Sequence, residues 1–85
     1  MTKFYLYILS CSDKSFYVGQ TDNLEKRFNE HDTGKFSGYT HSRRPLILVY
    51  HKIFDSRKNV LKAETKVKKW SKQKKIDLIN GLFDL

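Results

Sequence analysis

Cysteine is almost missing from this chain: Cys11 is the single one among 85 residues. One thiol excludes an internal disulfide and a thiolate zinc cluster, and it fits a reducing, cytoplasmic setting. Long apolar runs are missing too. No stretch approaches the roughly 18 to 20 residues a membrane span needs, so no membrane partner is expected. The run ending at Leu9 is short, rich in tyrosine and alternating, and no clear small-residue cleavage site follows it, so it reads as a strand rather than a secretion signal. Internal repeats and low-complexity linkers are absent. Acidic residues are scarce: nine Asp plus Glu stand against seventeen Lys plus Arg, a formal net charge of +8. Such an excess on a small surface favours polyanionic partners and electrostatically steered encounter.

What is plentiful is aromatic surface, with six Phe, five Tyr and one Trp in a chain that is 39% hydrophobic. A chain of this length buries about 60 to 65% of its unfolded surface. That is enough for one domain over residues 1–85 without a metal staple, and too little for a second core.

The order of elements is legible. Lys3 to Leu9 alternates Phe4, Leu6 and Ile8 with Tyr5, Tyr7 and Leu9, as in a strand covered on both faces. Ser10 to Ser15 is a turn, and Phe16 to Gly19 returns as a second strand, making a hairpin. Any register pairing odd positions with odd puts Tyr7 and Tyr17 on one face. Thr21, Asp22 or Asn23 then caps a helix running through Asp32. In it Leu24 and Phe28 form an apolar pair, Arg27 and His31 a polar one beside it, and Gly34 marks the end. Lys35 to Arg44 is a basic, aromatic loop before Pro45. Leu46 to Phe54 is apolar on both parities and reads as the third and most buried strand. Asp55 or Ser56 caps a second helix carrying Val60, Ala63, Val67 and Trp70 at helical spacing, with Glu64 at the edge of that stripe. Ser71 caps a third helix, Lys72 to Asn80, after which Leu82, Phe83 and Leu85 fold back. The fold class is α+β, three antiparallel strands flanked by about three helices.

Few residues in this chain can do chemistry on a phosphodiester, which needs an activated nucleophile, charge stabilisation and usually a divalent cation. Tyr7 and Tyr17 offer phenols, Arg27 a bidentate phosphate donor, His31 a proton acceptor near neutral pH, and Glu64 a hard oxygen ligand for Mg2+. Singly, each has an ordinary account. Tyrosines pack in strands, Arg27 is a solvated charge, His31 complements a helix dipole, and Glu64 pairs with Lys68 one turn on.

Together the pattern resembles the GIY-YIG nuclease superfamily, in its small stand-alone bacterial members, which are similar to the structure-specific resolving nucleases. The first motif matches Tyr5, Leu6 and Tyr7, and the second matches Tyr17, Val18 and Gly19, with the paired tyrosines ten residues apart. Arg27 in NLEKRFNEH and Glu64 in VLKAETKVKKW match the family's arginine and metal-binding glutamate, and His31 matches a histidine of some restriction-type members. The resemblance implies a central three-stranded antiparallel sheet and one Mg2+ (or Mn2+) at a single carboxylate, Glu64. It also implies Tyr7 as the tyrosine that activates water, Tyr17 in support, and Arg27 on the scissile phosphate. The family's first glycine is Tyr5 here, and its downstream asparagine has no clear match, Gln73 being the nearest amide. A phenol of pKa near 10 is a poor base at pH 7, so activity should rise towards alkaline pH.

Arg43, Arg44, Lys68, Lys69 and Lys72 lead the basic residues expected on DNA, with Phe36, Tyr39 and Trp70 interleaved for occasional base stacking, although Trp70 reads first as a core residue. Lysine-dominated contacts position double-stranded or branched DNA without reading its sequence, and they weaken with salt. Two other readings stay open: a DNA-binding adaptor of the same fold with little catalysis, and an RNA substrate. A domain this small covers a short length of duplex, so double-strand cuts would need a homodimer or a partner protein.

Overall fold

The pleat of the first strand decides the architecture. In the computed structural model, which describes residues 3–35 and 38–85, β1 (Phe4–Ser10) lies between β2 (Phe16–Thr21) and β3 (Ile47–Phe54), antiparallel to both. Successive side chains leave a strand on opposite faces. Leu6 and Ile8 join Val18, Val60, Val67 and Leu78 in a core under α2 (Arg57–Lys68) and α3 (Lys72–Ile79). Tyr7 and Leu9 pack on the other side with Cys11, Leu46 and, from α1 (Leu24–Asp32), Leu24 and Phe28. The expected α+β fold, three antiparallel strands with three helices, is what forms.

Helix ends follow local chemistry. Of the caps open to α1, Asn23 is the one used, its side chain accepting from Lys26 N at 3.1 Å. Ser56 caps α2 through Asn59 N, and Ser71 caps α3 through Lys74 N. After α1 the chain turns at Gly34, whose φ of +77° is left-handed. A side chain there would also collide with the Arg44 guanidinium, 2.8 Å from the Cβ position.

The expectation that β3 is the most buried strand is wrong. Ile47 and Ile53 are 63% and 47% exposed, while Leu6, Tyr7, Ile8 and Leu9 are each at most 1% exposed. An apolar run on both parities says that a strand is covered, not which strand sits in the middle, and here that is β1. β2 also runs two residues past Gly19, to Thr21.

Of the C-terminal residues expected to fold back, Phe83 and Leu85 do, while Leu82 stays 72% exposed. Phe83 meets Trp70 with ring centroids 5.4 Å apart, and Leu85 packs against the larger core. Asp84 Oδ2 accepts from Lys52 Nζ at 2.9 Å, and its Oδ1 accepts from the Tyr50 hydroxyl at 2.8 Å. These bonds, Lys52's first, hold the Asp84 carboxyl at about 2. A carboxyl depressed on folding stabilises the fold above its unfolded pKa of roughly 4, and that contribution is lost as pH falls through the folded value. Asp84→Asn should therefore flatten the acid limb of a plot of melting temperature against pH between about 4 and 2, followed by circular dichroism. An unchanged limb would mean that the tail is not held by this carboxylate.

Candidate active site

Strand register puts the two tyrosines side by side. Tyr7 lies opposite Gly19 and Leu9 opposite Tyr17, so both phenols rise on the α1 side of the sheet, ring centroids 6.3 Å apart. Gly19 leaves the room this needs: a Cβ there would come within 2.5 Å of Tyr7 Oη and 2.6 Å of Cζ. The Tyr7 ring thus lies across the backbone of the neighbouring strand, which a side chain would prevent.

The 3.6-residue helical repeat aims Arg27 and His31 of α1 at the same spot. His31, 3% exposed, has Nε2 3.0 Å from Tyr7 Oη and Nδ1 2.8 Å from Thr40 Oγ1. Its ring lies 5.0 Å from that of Tyr17. Burial raises the Tyr7 pKa far above its ordinary value, with the neighbouring Tyr17 and the charge of Glu64 adding to the rise. The charge and hydrogen-bonding reach of Arg27 oppose it. Burial first, and then the Arg27 charge, push His31 below its ordinary value, against a smaller pull from Glu30. At neutral pH both groups are therefore uncharged. Tyr17, Arg27, His31, Gly38, Tyr39 and Thr40 line a cavity of about 110 Å³. At roughly 30 Å³ per water molecule, that is room for three or four. A wider groove, about 560 Å³, opens at the start of α1 between Tyr5, Leu24, Phe28 and Leu48, and none of the candidate catalytic residues line it.

Glu64 projects from α2 with its side chain 18% exposed and Lys68 Nζ at 3.5 Å, the pairing expected one turn on. Its charge is nonetheless felt at the Tyr7 phenol. Among the described residues no cluster of three or more His, Cys, Asp or Glu stands together. A hard cation such as Mg2+ keeps several waters and is often held by one or two carboxylates plus a substrate phosphate, and a single shielded glutamate suits that habit. Gln73 donates to Asp77 on its own helix at 2.9 Å.

Tyr7, Tyr17, Arg27 and His31 are thus brought together, with Glu64 close enough to act electrostatically on the same phenol. The basic residues divide. Lys68, Lys69 and Lys72 are exposed along α2 and its junction with α3, Lys72 passing over the Phe16 ring at 5.8 Å. Arg43 and Arg44 are tied into the fold. Arg43 donates from Nε to Asp13 at 2.9 Å and from Nη1 to the Tyr39 carbonyl at 2.8 Å, with its guanidinium 3.8 Å over the Tyr39 ring. Arg44 donates to the His41 carbonyl at 3.0 Å. Tyr39 also stacks with Tyr17, at 6.1 Å and 28°, so its ring has partners within the fold, although the residue remains 43% exposed. Phe36 lies outside the described residues. Thr40 is the participant that sequence reading missed: a threonine in a basic loop carries no signal that it will end up 1% exposed against a histidine.

The paired tyrosines, arginine and histidine lie on the α1 side of the sheet, and the glutamate lies on α2, which packs against the other face. The sequence model of the GIY-YIG catalytic domain matches residues 3–77, and the chain belongs to the GIY-YIG nuclease superfamily. Its relatives carry the name UPF0213. A UPF0213 protein of Syntrophus aciditrophicus is 51% identical over 80 residues, covering 93% of this chain and 92% of the relative. One from Staphylococcus haemolyticus is 42% identical, covering 93% and 96%. The solution structure of the UPF0213 protein BH0048 from Bacillus halodurans is similar at a TM-score of 0.61 and 37% identity, over 92% of this chain and 83% of that one.

Proposed function

We propose that the chain is a metal-dependent endonuclease that hydrolyses phosphodiester bonds in DNA, guided by DNA structure or with weak sequence preference, in repair, recombination or the processing of foreign DNA. The observation that supports this most is the small cavity lined by Tyr17, Arg27 and His31, with the Tyr7 hydroxyl 3.0 Å from His31 Nε2 and the Glu64 charge acting on that phenol. Arg27 donates to the non-bridging phosphate oxygens, and Tyr17 orients water or phosphate. Mg2+ or Mn2+ held by Glu64 would polarise the phosphate and stabilise the departing oxygen.

The geometry favours a relay over a free phenolate. Tyr7 is protonated and its O–H meets Nε2 of a neutral His31. As water attacks phosphorus, its proton passes to Tyr7 Oη while the Tyr7 proton passes to His31 Nε2. The new P–O bond forms, and the bond to the leaving oxygen breaks with its electron pair, that oxygen then taking a proton from solvent.

This changes the expected pH dependence. The acceptor is His31, held below its ordinary value of about 6.5. Single-turnover cleavage should rise from pH 5 and level off near or below pH 6.5, staying flat to pH 9. A rate still climbing tenfold per unit between pH 7 and 9 would make the phenolate, not the relay, the reacting base.

The function itself is tested by offering duplex, branched and single-stranded DNA, and RNA, with Mg2+ or Mn2+. Metal-dependent cutting of DNA that chelation stops is the expected result. Tight DNA binding with no cutting under either metal would identify an adaptor instead.

A further inference from the structure

We propose that Thr40 is a positioning residue of this site: it fixes the His31 ring with hydrogen on Nδ1 and the Nε2 lone pair facing Tyr7, and a latch between the β1–β2 turn and Arg43 holds it there. The positioning of His31 stands on geometry alone, while its effect on cleavage rests on the nuclease reading above.

The tautomer follows from counting donors. The buried Tyr7 hydroxyl is protonated and needs an acceptor. Arg27 has only donors to offer it, whereas Nε2 lies at 3.0 Å. A neutral imidazole that accepts at Nε2 carries its hydrogen on Nδ1, and Thr40 Oγ1 is the acceptor for it at 2.8 Å. Hydrogen bonds to the far nitrogen of a working histidine commonly set both its tautomer and its ring orientation.

Thr40 lies between α1 and β3, directly before a single 3-10 turn, His41–Arg43, and the fold ties this segment down from two directions. On one side the hairpin turn grips it: Ser12 N donates to the Arg43 carbonyl at 2.9 Å, and Asp13 accepts from Arg43 Nε at 2.9 Å. Arg43 in turn donates to the Tyr39 carbonyl, one residue before Thr40, and its own N–H donates to the Thr40 carbonyl at 3.1 Å. On the other side Arg44 lies against Gly34, just beyond α1. Arg43, one of the two arginines expected on DNA, is therefore bonded to the protein itself at the surface, next to the segment that carries Thr40.

Two measurements on the full chain decide this. Nitrogen chemical shifts of the His31 ring report the tautomer whether or not the chain cuts DNA. The expected result is hydrogen on Nδ1 in the wild type and a shift towards the Nε2–H form in Thr40→Val, which keeps the shape and loses the hydroxyl. Thr40→Ser should restore the wild-type ring. In single-turnover cleavage Thr40→Val should be about tenfold slower at unchanged DNA affinity, with rescue by Thr40→Ser. Asp13→Asn should also slow cleavage, by about two- to fivefold, without weakening binding. An Nε2–H ring in the wild type, or a ring unmoved by Thr40→Val, overturns the proposal. Asp13→Asn that binds and cuts DNA better would make Arg43 a phosphate contact and remove the latch. A wild type that cuts nothing refutes the nuclease reading, and the ring nitrogens still decide Thr40.

Discussion

Glu64→Gln is expected to slow single-turnover cleavage about a thousandfold or more while leaving the fold and DNA affinity close to those of the wild type. The substitution keeps volume and hydrogen-bonding shape and removes the charge on which a cation depends. Loss of a metal's charge stabilisation is a matter of several kcal/mol in the transition state, and about 4 kcal/mol corresponds to about a thousandfold in rate. The structural cost is small by comparison. Among the described residues Glu64 pairs with Lys68 at 3.5 Å on the same helix, the lysine being half exposed, and exposed pairs one turn apart contribute about 0.3 to 0.5 kcal/mol. Removing a negative charge from a chain of net charge +8 should, if anything, tighten DNA binding. The control is Lys68→Ala, which breaks the same pair without touching the carboxylate; at saturating DNA, where the loss of a DNA contact is made up by concentration, it should leave the rate within about threefold. If Glu64→Gln cuts at the wild-type rate, the cation is not held by Glu64. If both variants lose activity equally, the ion pair, not the metal, is what matters.

Much of this could be read from the residues, and the misses have a physical pattern. Alternation in Lys3 to Leu9, the caps at Ser56 and Ser71 and the helical spacing of Val60 and Val67 are local signals, and each of these elements formed where it was read. The face shared by Tyr7 and Tyr17 also follows from local parity once the strands pair. Strand order is not local. Nothing within Leu46 to Phe54 says that β3 is an edge and β1 the centre, because both are apolar on two faces, and the expected burial of β3 failed for that reason. The loop failed in the same way. Arg43 and Thr40 acquire their partners from Asp13 and His31, 30 and 9 residues away, and composition sees only a basic, polar segment. The convergence of Tyr7 with His31, 24 residues apart, was reached through the family resemblance rather than through periodicity. The geometry then changes the chemistry proposed for it, because burial raises the Tyr7 pKa further and its hydroxyl lies 3.0 Å from His31 Nε2.

Gly19→Ala carries the second large effect, and it acts through one methyl group. The new Cβ would lie 2.5 Å from Tyr7 Oη and 2.6 Å from Cζ, well inside van der Waals contact, so the ring must move. It has little room: Tyr7 is 1% exposed, its hydroxyl is engaged with His31 Nε2 at 3.0 Å, and Tyr17 crowds its side. Overpacking of this kind costs typically about 1 to 3 kcal/mol, and giving up the buried hydrogen bond adds about 1, so the variant should lose about 2 to 4 kcal/mol. A domain of this size has roughly 4 to 13 kcal/mol in total, so the variant should still fold, with its melting temperature lowered by about 10 to 25 °C. Cleavage should fall by about a hundredfold even well below that temperature, because a displacement of about 1 Å in a reacting group is enough to do so. The strain can be assigned by a double-mutant cycle. With Tyr7→Ala already in place the collision is gone, and Gly19→Ala should then change stability by no more than about 0.5 kcal/mol. If Gly19→Ala destabilises that background as much as it does the wild type, the glycine is required by the backbone of β2 and not by the tyrosine lying across it.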